Sequence, residues 1–424
     1  MKVLILGATG LIGSHVLRAL RDAGCEAVGM SRRRPAGEPA AAWVEADIGS
    51  MTQEVDWLPM LAGVDSVVNC VGIIREARDG DFDRLHRAAP VALFAACERL
   101  GMRRVVHVSA LGSHPDAATG YWRSKGAAEA DLMARRLSAT IIRPSLVYGE
   151  DGASSVMFRM LATLPVLMMP MAHSARVQPI HVDDLTAVLV KLVLADGDVP
   201  PELAVVGPRA TTMAGYLDAL RDGMEAPPAL VMDLPMPVAR VVARVAALNP
   251  SSALTPESLT MLEQSADGSN TADAAPATVM LGRPPRDPAR FARPDQRVVA
   301  AWSWGAMLVT VAMAMLWLIT AYVSWFAWPH AQSAAWLGEC GIPAAWREHV
   351  LLSASVLDAT LGVLLLLRPR RWLWAAQLAL VGGYTVIMSV CLPDFWLHPF
   401  GPLSKNLPLL AIMLVMWRLS PRRG

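Results

Sequence analysis

Cysteine is scarce and scattered. The five cysteines of this 424-residue chain, Cys25, Cys70, Cys97, Cys340 and Cys391, make no CxxC pair and no spacing that gathers a metal. Their pattern excludes a zinc ribbon and a thioredoxin-like dithiol, and the first three suit a reducing compartment. Net charge is nearly absent as well, since 38 Lys+Arg against 37 Asp+Glu leave +1. With no basic surplus and no lysine-arginine stripe interleaved with aromatics in the polar part, nucleic acid is not an expected partner. The opening MKVLILGATG lacks the small-residue cleavage site of a signal peptide and reads as a buried strand. Residues 1 to about 280 are therefore expected in the cytosol.

Apolar residues, by contrast, are abundant. They make up 54% of the chain, with a mean hydropathy of +0.37, which points to a soluble part joined to a membrane part. Four apolar segments lie at roughly 298–328, 349–367, 372–392 and 406–419. Three approach the roughly 20 residues that cross a hydrocarbon core, and the last is short. Arginines fill the stretch before them (Arg283, Arg286, Arg290, Arg293, Arg297), the loop at Arg368, Arg370 and Arg371, and the end at Arg418, Arg422 and Arg423. By the positive-inside rule both termini face the cytoplasm, which predicts a multi-pass protein of the inner (cytoplasmic) membrane. Asp358 falls inside the second segment, where a carboxylate should face the bundle interior, with Lys405, Asn406 and His398 as candidate partners. Cys340 and Cys391 fall at the outward ends, where they can meet as a disulfide.

Residues 1 to about 150 alternate β-branched runs (VLILG, SVVNCVG, RVVHVSA, ATIIRPS) with helical stretches. That alternation predicts an α/β Rossmann-type fold, a doubly wound parallel sheet, ahead of a four-helix transmembrane bundle. The expected division is 1–280 for the nucleotide-binding domain, with a substrate side from about 151, then a basic linker 281–297 and a membrane domain 298–424. The polar stretch SADGSNTADAAPAT reads as a loose tail of the first part.

The motif VLILGATGLIG places Gly7, Thr9, Gly10, Leu11, Ile12 and Gly13 between a strand and a helix. Glycines there permit a tight turn and let a pyrophosphate approach the helix N-terminus, whose free amides favour anions. After the second strand comes SRRRP, where an NAD site usually has an acid. Arg32 and Arg33 would instead attract a 2′-phosphate, so NADP is the expected cofactor ahead of NAD. No metal site is expected: His181, Asp183 and Asp184 of QPIHVDDL lack further ligands and suggest a helix cap with a solvated Asp183. His107, inside an apolar strand, reads as a core residue.

Tyr121 and Lys125 stand four residues apart in YWRSK, on one helical face. An ammonium beside a phenol favours the phenolate, which suits proton exchange with an alcohol or carbonyl oxygen. The strand before them ends in Ser109 and Ala110, and Ser113 beyond Gly112 reaches the site only if its loop folds back.

GATGLIG, EADIGS, NCVG, YWRSK and RPSLVYG, in this order, resemble the short-chain dehydrogenase/reductase superfamily. IHVDDL is similar to a later segment of its extended and atypical members, the epimerase/dehydratase and NmrA-like groups. The resemblance implies that Asp47 and Ile48 flank an adenine, that Cys70, Val71 and Gly72 line the cofactor, and that Pro144, Ser145 and Leu146 lie near the nicotinamide. It also implies that Lys125 holds the nicotinamide ribose, and that the family's carbonyl-polarising serine is replaced by Ala110. The last third, most clearly HPFGPLSKNLPLLAIMLVM, resembles a DoxX-like membrane domain. Together these features lead to an expected membrane-anchored NADP-dependent oxidoreductase acting on a carbonyl or alcohol of an apolar or membrane-derived substrate. Two other readings share the motifs: a noncatalytic NADPH-binding sensor or assembly factor with membrane protein partners, and a sugar-nucleotide epimerase or dehydratase.

Overall fold

The computed structural model describes residues 1–248, 254–399 and 401–421; Phe400, Arg422 and Arg423, used in the reading above, lie outside them. The chain forms two compact units, Met1–Ala301 and Trp302–Gly424.

In the first unit seven strands form one parallel sheet: β1 (Lys2–Leu6), β2 (Glu26–Ser31), β3 (Trp43–Glu45), β4 (Ser66–Asn69), β5 (Arg104–Val108), β6 (Ala139–Pro144) and β7 (Glu202–Val205). Their order is β7-β6-β5-β4-β1-β2-β3, every pair parallel. The unbroken apolar runs follow from burial on both faces. Val3 and Ile5 of β1 join one core with the helices Leu11–Asp22 and Val182–Leu194, while Leu4 and Leu6 join the opposite core with the helix Ala89–Arg99. Strand order reverses between β1 and β4, and ligands of such sheets bind at the carboxyl ends flanking that reversal.

The stretch expected to be a loose tail is docked. Asn270 accepts from Ser145 Oγ through its main-chain oxygen at 3.1 Å, and Ala272 N donates to Gln178 Oε1 at 3.0 Å. The basic stretch is docked as well. Arg283 pairs with Asp184, Arg293 with Glu150 at 3.0 Å, and Arg297 donates to the Glu225 carbonyl at 2.6 Å. Unpaired arginines so close to one another repel, and acids dispersed over the sheet's neighbours relieve this; no local sequence signal marks such long-range partners.

QPIHVDDL makes the expected helix cap and leaves Asp183 exposed, with ion pairs added that the segment alone does not show. The helix Val182–Leu194 is capped by the His181 ring, which accepts from Asp183 N at 3.2 Å. Exposed Asp183 pairs with Arg286 at 3.3 Å, and Asp184 is fully buried against Arg283 and the Arg286 amide. Burial, and then Arg286 beside the ring, holds the His181 pKa below its usual value.

The second unit contains the apolar helices Gln296–Tyr322 (from its residue 302 on), Ala344–Leu367, Arg371–Cys391 and Asn406–Leu419. Three are long and apolar enough to cross a membrane. The fourth has 14 residues, about 21 Å at 1.5 Å per residue, short of a roughly 30 Å hydrocarbon core. Met313, Trp317, Leu365, Trp374 and Met413 pack the interior, where Trp317 Nε1 donates to Gln377 Oε1 at 2.6 Å. Asp358 is buried with Oδ1 lacking a hydrogen bond among the described residues, and Asn406 is bonded to Thr385 at 2.9 Å instead of to the carboxylate. Cys340 and Cys391 form a disulfide, while Cys25, Cys70 and Cys97 are free.

Candidate cofactor and active site

Gly7 leaves β1 with φ +71°, a left-handed conformation that glycine adopts without strain, and Gly10 N returns a hydrogen bond to Gly7 O at 2.9 Å. A side chain on Gly13 would collide with the Gly7 carbonyl, so helix and strand approach as closely as their backbones allow. The helix Leu11–Asp22 has Gly10 at its N-cap and no side-chain cap, which leaves the first amides, at Leu11, Ile12 and Gly13, available to an anion beside Thr9. Cys70, at the end of β4, packs its carbonyl 3.1 Å from where a Gly7 Cβ would stand. The Gly7–Gly13 turn and the Cys70–Gly72 segment thus flank the same sheet reversal, and the residues present suit a dinucleotide.

Beyond β2, Arg32, Arg33 and Arg34 are exposed and make no ion pair among the described residues. Ser31 Oγ donates to the Arg33 carbonyl at 2.8 Å and holds the start of this basic turn. Asp47 Oδ1 accepts from Gly49 N at 3.2 Å, and Ile48 is buried beneath it.

Tyr121 and Lys125 lie on the helix Gly120–Met133, capped by Thr119, whose oxygen accepts from Trp122 N at 3.3 Å. Lys125 is buried. Its Nζ donates to the Val108 carbonyl at 3.2 Å, lies 5.7 Å from the Tyr121 ring centre, and stands 3.6 Å from a Cβ position at Gly72. Burial pulls its pKa down to about 8, against the pull of Glu129. Half-buried Tyr121 behaves opposite to the sequence expectation, since burial pushes its pKa up to about 12. At 5.7 Å the ammonium faces the ring rather than bonding the hydroxyl, and desolvation dominates. Burial likewise pushes Cys70 up to about 12, which makes it a packing thiol rather than a nucleophile.

The Ser113 loop folds onto Ser109. Gly112 takes φ +80° and lies against Trp122, with no space for a side chain there. Ser113 returns to Ser109, whose Oγ donates to Ser113 Oγ at 3.3 Å, with both hydroxyls buried. Ser113 makes no hydrogen bond with Tyr121 or Lys125 among the described residues.

Several residues around Tyr121 had no legible signal. His86 lies on a widened helical turn, Asp83–Ala88, 5.4 Å from the Tyr121 ring and edge-on to it, with Phe82 stacked on the imidazole at 5.3 Å. His86 Nε2 accepts from Ile73 N at 3.0 Å, so Nδ1 carries the proton toward Ser124 Oγ at 3.1 Å. Ser124 Oγ in turn donates to the Tyr121 carbonyl at 3.0 Å. Burial, then Lys125, pulls the His86 pKa down to about 2, so the ring stays neutral. Glu257, from the helix Pro256–Gln264, accepts the Tyr121 N–H. His107 is the core residue expected: buried, bonded through Nδ1 to Asn69 at 3.2 Å, and pulled down to about 3 by burial.

Pro144 accepts from Leu111 N at 3.1 Å, and Leu146 accepts from Ile180 N at 2.9 Å. Ser145 is tied to Asn270 and Gln178, so this segment is fixed from the docked 265–278 stretch.

Residues 3–207 match the NAD dependent epimerase/dehydratase family, and residues 314–414 match the DoxX-like family. The chain joins an epimerase/dehydratase domain to a DoxX-like domain. It is similar to a ceramide reductase of Caulobacter vibrioides, with 31% identity over 193 residues, 44% of this chain and 59% of that one. It is also similar to the NADH dehydrogenase [ubiquinone] 1 alpha subcomplex subunit 9 of Arabidopsis thaliana, 25% identical over 56% of this chain and 61% of that one. The chain thus spans about three fifths of the length of these curated relatives. A nucleoside-diphosphate-sugar epimerase from Staphylococcus aureus shares the fold, with a TM-score of 0.55 and 14% identity over 69% of this chain and 99% of that one. The family matched by residues 3–207 is one of NAD dependent enzymes, and the DoxX-like domain with its apolar helices associates the chain with a membrane.

Proposed function

We propose that the chain is a membrane-anchored, NADP-dependent oxidoreductase that interconverts a carbonyl and an alcohol on an apolar or membrane-derived substrate. The observation that carries this reading is the Tyr121–Lys125 pair, on one helix beside Gly72 at the sheet reversal. Arg32 and Arg33, with no acidic partner among the described residues, are the proposed 2′-phosphate ligands, and the amides of Leu11–Gly13 the pyrophosphate ligands. Asp47 and Ile48 border the adenine, Cys70–Gly72 and Pro144–Leu146 line the nicotinamide half, and Lys125 holds its ribose. A bound nicotinamide supplies or accepts the hydride.

The chain's own part is the proton. In reduction Tyr121 gives its hydroxyl proton to the substrate oxygen as hydride reaches the carbon, yielding the alcohol; oxidation reverses both transfers. Lys125, 5.7 Å from the ring centre, is the cation that faces the phenolate left behind. Ser113 Oγ accepts the Ser109 hydrogen bond, which leaves the Ser113 O–H as the proposed donor to the substrate oxygen. The test is NADPH consumption by the purified chain with a panel of membrane-derived ketones and aldehydes. Tyr121→Phe should lose about 10²–10⁴-fold in kcat with NADPH affinity retained; equal turnover by the variant would remove Tyr121 from the chemistry.

A second reading is favoured by one observation, Ala110 just past β5 with the hydroxyls of Ser109 and Ser113 bonded to each other. There the domain binds NADPH and senses or assembles without turnover, and Tyr121→Phe is silent. The epimerase or dehydratase reading shares the domain family and differs in its sugar-nucleotide substrate.

The proposed location is the inner membrane with the nucleotide domain in the cytoplasm. Arg368, Arg370 and Arg371 lie at one end of the helices Ala344–Leu367 and Arg371–Cys391, and the Cys340–Cys391 disulfide lies at the other. Positive charge inside and an oxidised pair outside support the same orientation.

A further inference from the structure

The helix Met236–Ala246 turns only Ala239 and Ala243 fully inward, against Leu259. Its opposite face exposes Val238, Val241, Val242 and Val245, spaced i, i+3, i+4, i+7, and Leu248 continues the stripe past the helix end. Just ahead of it in sequence, Leu230–Asp233 pairs in parallel with Val166–Met169, and Leu230 meets Val166 while Met232 meets Met168. All four of these side chains are exposed, whereas Leu167 between them is buried. A soluble surface scatters large apolar residues singly; two successive elements that each present an ordered apolar face call for a partner.

We propose that the Met236–Ala246 helix lies in the headgroup boundary of the bilayer, with its valine stripe toward the acyl chains. Three observations select lipid. The chain carries its own membrane-length helices, so the bilayer is held at high local concentration. Arg240 and Arg244 are exposed one turn apart beside the stripe, positioned to snorkel toward anionic headgroups. Arg240 holds Glu263 only through an exposed pair, and Arg244 makes no ion pair among the described residues. A short helix with an apolar stripe flanked by arginines is the form that lies along an interface rather than crossing it.

The seated helix packs on the helix Pro256–Gln264, which reaches Tyr121 through Glu257. Resting on the functional reading above, this places the proposed proton donor one element away from lipid and makes an acyl-bearing substrate available from the membrane.

The test uses the full chain in vesicles of phosphatidylcholine and phosphatidylglycerol, with a photoreactive diazirine residue replacing Val241 or Val245, or exposed Asp196 as control. Illumination should give phospholipid adducts at Val241 and Val245 several-fold above the control, and fewer when Arg240 and Arg244 are both replaced by glutamine. Adducts to a second copy, or to the chain's own residues 302–424, would overturn the proposal, as would yields equal to the control. NADPH binding by each variant reports folding. Turnover is read separately: adducts without turnover sink the oxidoreductase reading and keep the lipid contact, while turnover without adducts does the reverse.

Discussion

Glu257 Oε1 accepts the main-chain N–H of Tyr121 at 3.0 Å, across 136 residues of sequence. The carboxylate sits at the N-terminal end of the Tyr121 helix, where the helix dipole favours a negative charge. It acts as a positioning residue. Glu257→Ala should cost about 1–2 kcal/mol in unfolding free energy, and Glu257→Gln about half of that. In kinetics kcat should fall while KM for NADPH holds; a parallel rise in KM would mean that the contact supports the cofactor instead.

Much of the nucleotide side was legible because its signals are local. A strand, glycines at fixed spacing and a helix occupy thirteen residues, and the physics that requires them acts within that span. The apolar segments were legible for the same reason, with helix bounds of 344–367, 371–391 and 406–419 against readings that began or ended within five residues. Glu257, His86 and the Asn270 contact were not legible. Each depends on chain returning from far away, and an ordinary Glu, His or Asn has no local pattern to mark it.

Acid should destabilise the first unit. Buried His86 and His107 have folded pKa values pulled down to about 2 and about 3, below the ordinary 6.5, so the unfolded chain binds more protons between those values and 6.5. Their neutral burial is uncosted above 6.5, and stability is lost as pH falls below it. At pH 5 each histidine should lower stability by about 2 kcal/mol relative to pH 7. Pulse proteolysis of the full chain in detergent reads this, and His107→Leu should flatten the slope while leaving Asn69 to cost stability at every pH.

Arg32 and Arg33 should set cofactor choice. Replacing both by serine should weaken NADPH binding by about 10–100-fold, the loss of one or two charge-assisted hydrogen bonds, and leave NADH unchanged. Fluorescence titration with both nucleotides checks it; equal losses for the two would place these arginines away from the 2′-phosphate.

The two serines should differ in consequence. Ser113→Ala should lower kcat by about 10²-fold if its free hydroxyl meets the substrate oxygen, and Ser109→Ala by far less. Identical small effects from both would leave the pair as packing for the Gly112 turn, and Ala110→Ser then becomes the variant that gains rate.

The single chain contains thiols in two oxidation states: three free cysteines in the nucleotide unit and a closed pair in the other. It therefore carries its own compass. A reductant that cannot cross lipid opens the Cys340–Cys391 bond from one side of a sealed vesicle and spares it from the other, so sidedness becomes readable by gel mobility without any added tag.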